Sequence, residues 1–131
     1  GVLEDNMRKD REIAEVQREG FRKALKAGVK MVYGTDSGVY PHGHNANQFR
    51  YMVRSGMTPL QAIRSATLDS ARLLGRETEF GSVAVGRSAD LIAVAGDPLR
   101  DIELLRDVRG VVMRGRVVKA PALALAPGGA P

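Results

Sequence analysis

The 131 residues contain no cysteine and no tryptophan, and only three phenylalanines and three tyrosines. Without cysteine this stretch has no disulfide scaffold, no thiolate-held zinc and no thiol nucleophile, and nothing in it reports a redox compartment. No apolar run approaches the roughly 18–20 residues that span a bilayer. The charged opening segment through Arg11 has no apolar centre of a signal peptide, so the sequence reads as cytoplasmic by default. There is also no block of like charge. Twenty Lys and Arg against fifteen Asp and Glu leave a formal charge of +5, but bases and acids are mixed along the whole chain. With so few aromatics for base stacking, that excess reads as solvated helix faces, with neither nucleic acid nor membrane as a partner. What is present, 44% hydrophobic and 27% charged residues, is the composition of a folded domain or a piece of one. The chain opens on Gly1-Val2-Leu3 rather than Met, a first hint that it begins within a fold.

Apolar periodicity predicts an amphipathic helix over 10–27, with Ile13, Val16, Phe21, Ala24 and Leu25 on the buried face and Gly28 as its left-handed terminator. The β-branched and aromatic run Val29–Tyr33 then reads as a strand, ending at Gly34-Thr35-Asp36-Ser37-Gly38. Pro41 and Gly43 make Val39–Asn47 irregular. A helix from about Asn47 to Ser55 turns Phe49, Met52 and Val53 inward and closes at Gly56. Thr58-Pro59-Leu60-Gln61 spells a capping box with proline at the first helical position, and Leu60, Ile63 and Ala66 supply the buried stripe. Thr67 or Asp69 caps a continuation through Leu74 that Gly75 stops. After residue 75 the pattern turns to β. Short strands are expected at Phe80–Val83 and Asp90–Val94, a turn at Gly96-Asp97-Pro98, and a hairpin of Val111–Met113 and Arg116–Val118 around Arg114-Gly115. Residues 120–131, of Ala, Pro, Leu and Gly only, read as a flexible tail. One strand of parallel type has nothing in this sequence to pair with, and its backbone groups are costly to leave unpaired.

Asp36 is the leading chemical candidate. It stands at the C-terminal end of a buried-type strand, where α/β folds gather their working side chains. A carboxylate there can ligate a metal or take a proton from water; equally, it can close an Asx turn that only shapes the loop. His42-Gly43-His44 has the spacing of a metal pair on a strand, yet Pro41 and Gly43 place it in a loop, where two solvated histidines are the plainer reading. Tyr40 is either a pocket wall or a surface residue. Gly81–Leu91 lacks the strand-to-helix glycine pattern of a phosphate loop.

Taken in order, several pieces resemble one family. They are Gly34-Thr35-Asp36-Ser37-Gly38, Pro41-His42-Gly43, Gly56-Met57-Thr58-Pro59-Leu60-Gln61-Ala62-Ile63, Ala66-Thr67, Ala71 and Leu73-Leu74-Gly75. Gly81-Ser82-Val83, Gly86–Ile92, Gly96-Asp97-Pro98-Leu99 and the Val-Met-Arg-Gly-Arg hairpin follow. The set, over residues 10–119, resembles the C-terminal part of the metal-dependent amidohydrolase superfamily. Within it the likeness is to the branch of Xaa-Pro dipeptidases, zinc carboxypeptidases acting on basic C-terminal residues and imidazolonepropionase-like proteins.

The resemblance implies an α/β fold, with residues 1–75 the C-terminal part of a (β/α)8 TIM barrel and 76–119 the returning strands of a small β-sandwich. It makes Val29–Tyr33 the eighth barrel strand, Asp36 both metal ligand and general base, and His42 a substrate-side residue. It leaves His44 without a counterpart. It implies one or two divalent ions, zinc first, and hydrolysis of a small peptide or amide. The family's other metal ligands, a His-x-His pair, a carboxylated lysine and two further histidines, have no counterpart in these residues. The chain is therefore expected to be a fragment, inactive alone, that self-associates or joins a missing N-terminal barrel portion, the intact enzyme being a homo-oligomer. The alternative is a non-catalytic basic binding or complementation module.

Overall fold

The computed structural model describes residues 2–38 and 42–120. Tyr40, and all of the expected tail except Ala120, lie outside the described residues. Helix α1 spans Val2–Lys26, longer at its start than the periodicity predicts, and is followed by α2 (Asn47–Arg54), α3 (Pro59–Ser65) and α4 (Leu68–Leu73). Strands β1 (Leu91–Val94), β2 (Val108–Met113) and β3 (Arg116–Lys119) form one antiparallel sheet in sequence order, with a 3₁₀ turn, Ile102–Arg106, between β1 and β2.

Local chemistry sets most of the helix boundaries. The Thr58 hydroxyl accepts from the Gln61 N–H at 3.2 Å and the Gln61 side chain takes the Thr58 N–H at 2.8 Å, so the capping box forms with Pro59 in the first turn. Helix α1 ends in a Schellman motif. With Gly28 at φ 72°, its N–H reaches Leu25 O and the Val29 N–H reaches Ala24 O, both at 3.0 Å. Thr67 stands at the start of α4, but its hydroxyl donates back to Ile63 O at 2.8 Å instead of capping the helix. The sheet closes on a two-residue turn with Arg114 at φ 49° and Gly115 at φ 77°, the left-handed pair of a type I′ hairpin.

The core gathers under α2 and α3. Met52, Met57 and Ala62 are buried, and Phe21, Leu25, Met31, Tyr33, Phe49 and Val53 pack around them. The rings of Tyr33 and Phe49 lie 4.5 Å apart. The 3₁₀ turn, with Leu105 buried, packs against α2 and joins the sheet to the helices.

Four expectations need correction. Residues 29–33 are extended but enter no ladder. The Tyr33 N–H bonds instead to Ser65 O at the end of α3 (3.0 Å), because no strand in the described residues lies beside it. Phe80–Ser82 forms bends and Val83 enters no strand, with Val83 85% exposed. The buried stripe of α3 runs through Ala62 and Ser65, while Leu60 is 50% exposed, since the short residues face the core and the long one faces an open cavity. On α1 only the C-terminal half of the apolar face is covered: Phe21, Ala24 and Leu25 are half-buried, but Ile13 and Val16 are exposed. The described residues thus make helices plus a three-stranded sheet and do not themselves make a barrel.

Candidate functional site

From Met31 to Gly38 the backbone alternates strictly between half-buried and exposed positions. Met31 and Tyr33 turn to the helices, with Thr35 and Ser37 in phase with them; Val32, Gly34 and Asp36 turn the other way. Asp36 is therefore carried on the face that the helices leave open. Its backbone is left-handed, at φ 46°, a conformation that Asp tolerates better than most residues. Among the described residues its carboxylate has no hydrogen-bond or ion-pair partner, and it lines neither the cavity beside His44 nor the one along Val29–Val32.

The turn is held from both sides. The Thr35 and Ser37 hydroxyls, one before and one after Asp36, lie 3.1 Å apart. Asn45 donates one amide proton to each, at 2.8 Å to Thr35 and 2.9 Å to Ser37. The Asn45 Oδ1 accepts the Gly43 N–H at 3.2 Å, and its main-chain carbonyl accepts the Tyr33 hydroxyl. The His42–His44 turn and the Asp36 turn are thereby tied together through one residue. Sequence reasoning passed over Asn45. Its only signal was its place directly after His42-Gly43-His44, and nothing local says that its partners lie eight and ten residues earlier.

His42 and His44 are both exposed. His44 borders a polar cavity of about 300 Å³ with Gly43, Ala46, Asn47 and Arg106, a lining that does not include His42. A larger cavity, about 680 Å³, lies along Val29–Val32, the half of the extended segment remote from Asp36. Leu25, Met57, Leu60 and Leu73 also line it, with Arg64, Asp69 and Arg72.

No three His, Asp or Glu side chains converge among the described residues. The Asp36 oxygens are donors that suit zinc, but one carboxylate is not a metal site. The donors described here do not by themselves fit a bound ion.

Known proteins with similar sequence and structure place these features in context. The model of the amidohydrolase family matches residues 2–118. Ochratoxinase of Aspergillus niger is 31% identical over 128 residues, which cover 94% of this chain and 26% of that protein. A crystal structure of a Xaa-Pro dipeptidase with methionine bound in its active site superposes with a TM-score of 0.76 at 46% identity, over 79% of this chain and 25% of the dipeptidase. The A. niger ochratoxinase crystal structure superposes with a TM-score of 0.75 at 34% identity, over 87% and 27% of the two chains. The chain spans about a quarter of the length of the relatives it matches.

Proposed function

We propose that this chain, which belongs to the amidohydrolase family, serves a metal-dependent hydrolase of amide C–N bonds, a dipeptidase or carboxypeptidase of the Xaa-Pro dipeptidase kind. In this reading residues 1–75 are the C-terminal segment of a (β/α)8 barrel and Val29–Tyr33 is its eighth strand. Residues 76–119 belong to a β-sandwich. The observation that carries the proposal is the position of Asp36, at the end of an extended segment and on the face turned away from the packing helices. In a closed barrel that face is the interior, and the strand's C-terminal end is where active sites form.

Asp36 then acts as the general base. Its carboxylate accepts a proton from the attacking water and returns it to the nitrogen that leaves, so that an amine rather than an amide anion departs. Zinc, as one or two ions held mainly by donors outside this chain with Asp36 as one further ligand, is the implied cofactor; when bound it acidifies water and polarises the scissile carbonyl. His42, exposed in the neighbouring turn, is assigned to the substrate side.

The test is a substitution panel in the full-length enzyme, assayed on Xaa-Pro dipeptides and on peptides with basic C-termini. Asp36→Asn keeps the size and shape of the side chain and removes the base, so kcat should fall by about 10²–10⁴-fold with an unchanged circular dichroism spectrum. Near-parental turnover would overturn the assignment. His42→Ala should raise KM more than it lowers kcat; an unchanged kcat/KM on every peptide would remove His42 from the site.

A further inference from the structure

We infer that Asn45 is the positioning residue that fixes the direction of the Asp36 carboxylate, a role resting on the reading of Asp36 as the base. Three hydrogen-bonding positions of its side chain are used, and every partner of that side chain lies in one of the two turns. The two amide protons go to Thr35 and Ser37, which bracket Asp36, and the amide oxygen takes the N–H of Gly43. Its carbonyl holds the hydroxyl of Tyr33, three residues before Asp36. Tyr33 is itself fixed by its ring contact with Phe49 and by its N–H bond to Ser65. The Asn45 side chain therefore connects both flanks of Asp36 to the His42–His44 turn, and its main chain connects them to the helical core through Tyr33.

The need for such a clamp follows from the backbone. Asp36 sits at φ 46°, a left-handed conformation that aspartate adopts at a smaller cost than most residues but that neighbouring bonds must still favour over right-handed or extended backbone. Among the described residues Asp36 has no partner of its own to hold its carboxylate, so the direction of the side chain is set by its neighbours. Asn suits this task because its amide donates two protons to two hydroxyl acceptors and adds no charge beside the carboxylate. Without it the turn is free to relax toward right-handed or extended backbone, and the carboxylate swings. A misplacement of about an ångström in a catalytic group costs on the order of 10²-fold in rate.

The experiment uses the full-length protein and two readouts. Hydrogen exchange of the metal-free protein, followed by mass spectrometry, compares residues 34–38 with 59–74; steady-state kinetics separates kcat from KM. Asn45→Ala should speed exchange in 34–38 by about tenfold or more while 59–74 stays at the parental rate, and should lower kcat by about 10–100-fold with KM within about twofold. Thr35→Val with Ser37→Ala removes the two acceptors and should give the same pattern, and adding Asn45→Ala to that pair should cost little more, since all three changes break one network. Parental exchange in 34–38, or a loosened turn with parental kcat, overturns the inference. If Asn45→Ala also loosens 59–74, the Thr35/Ser37 pair decides by the same two readouts. Asp36→Asn in the same panel tests the other claim separately: parental turnover there sinks the reading of Asp36, whereas parental exchange in 34–38 sinks the positioning role of Asn45 alone.

Discussion

Asp90 holds the tip of the β2–β3 hairpin from outside it. Its carboxylate accepts the Ser88 hydroxyl at 2.6 Å and the Arg114 N–H at 2.8 Å, while the Gly115 N–H bonds to Ala89 O. The Ser88 hydroxyl first, and the Arg114 N–H second, favour the ionised form and hold this carboxyl below the usual aspartate range. A pKa lowered by folding contributes stability that is complete above the unfolded value of about 3.9 and lost as the pH falls through the folded one. Asp90→Ala should therefore lower Tm at pH 7. The gap to the parent should hold down to about pH 4 and close below it. A gap of constant size from pH 7 to pH 3 in thermal melts would show that the loss comes from something other than the charge. Asp90 also marks what is legible residue by residue. The sequence identifies it as the start of a strand, which it adjoins, but its partner Arg114 lies 24 positions on. Asp36 stands out in the sequence because its setting, glycine-flanked at the end of an apolar run, is local; Asn45 does not, because its contacts depend on which turn folds against it.

At the scale of elements, legibility follows the range of the forces involved. The capping box at Thr58, the glycine terminators and the Arg114-Gly115 turn are written within four or five residues, and all three form as expected. Elements whose definition needs a distant partner fare differently. The run 29–33 is extended without a ladder, and 80–83 is not a strand at all. That second segment is governed instead by a close approach to α4. A Cβ built on Gly81 would lie 2.7 Å from the Ala71 Cβ, 3.0 Å from Thr67 O and 3.1 Å from the Leu68 Cα. Two of those atoms are backbone and cannot swing aside, and Gly81 also stands at φ 93°. Gly81→Ala combines an overpacked contact with a strained backbone and should destabilise the protein by about 1–3 kcal/mol. Denaturant unfolding is the check: a midpoint equal to the parent's would mean that the segment lifts off α4 without cost.

For the whole molecule, the uncovered apolar surfaces are spread over several faces. Ile13 and Val16 on α1, Val29 and Val32 on the extended segment, Leu60 and Leu73 around the large cavity, and Ile92, Met113, Val117 and Val118 on the sheet are all exposed. Single exposed apolar residues are ordinary, but continuous ones on elements with unpaired edges mark surfaces that bind something. The formal charge of +5 does not shield them, because α1 spends many of its bases on its own acids: Lys23 on Glu19 at 2.9 Å, Arg18 on Glu15 at 2.6 Å. Residues 1–131 produced alone should therefore self-associate at micromolar concentration. They should also bind zinc weakly and hydrolyse no dipeptide, since no three His, Asp or Glu side chains converge among the described residues. Sedimentation velocity over a concentration series tests the first statement, and zinc titration with a peptidase panel tests the second. A monodisperse monomer with tight stoichiometric zinc and turnover on any dipeptide would mean that the site is completed within these residues, and that Asp36 has partners this fold does not bring to it.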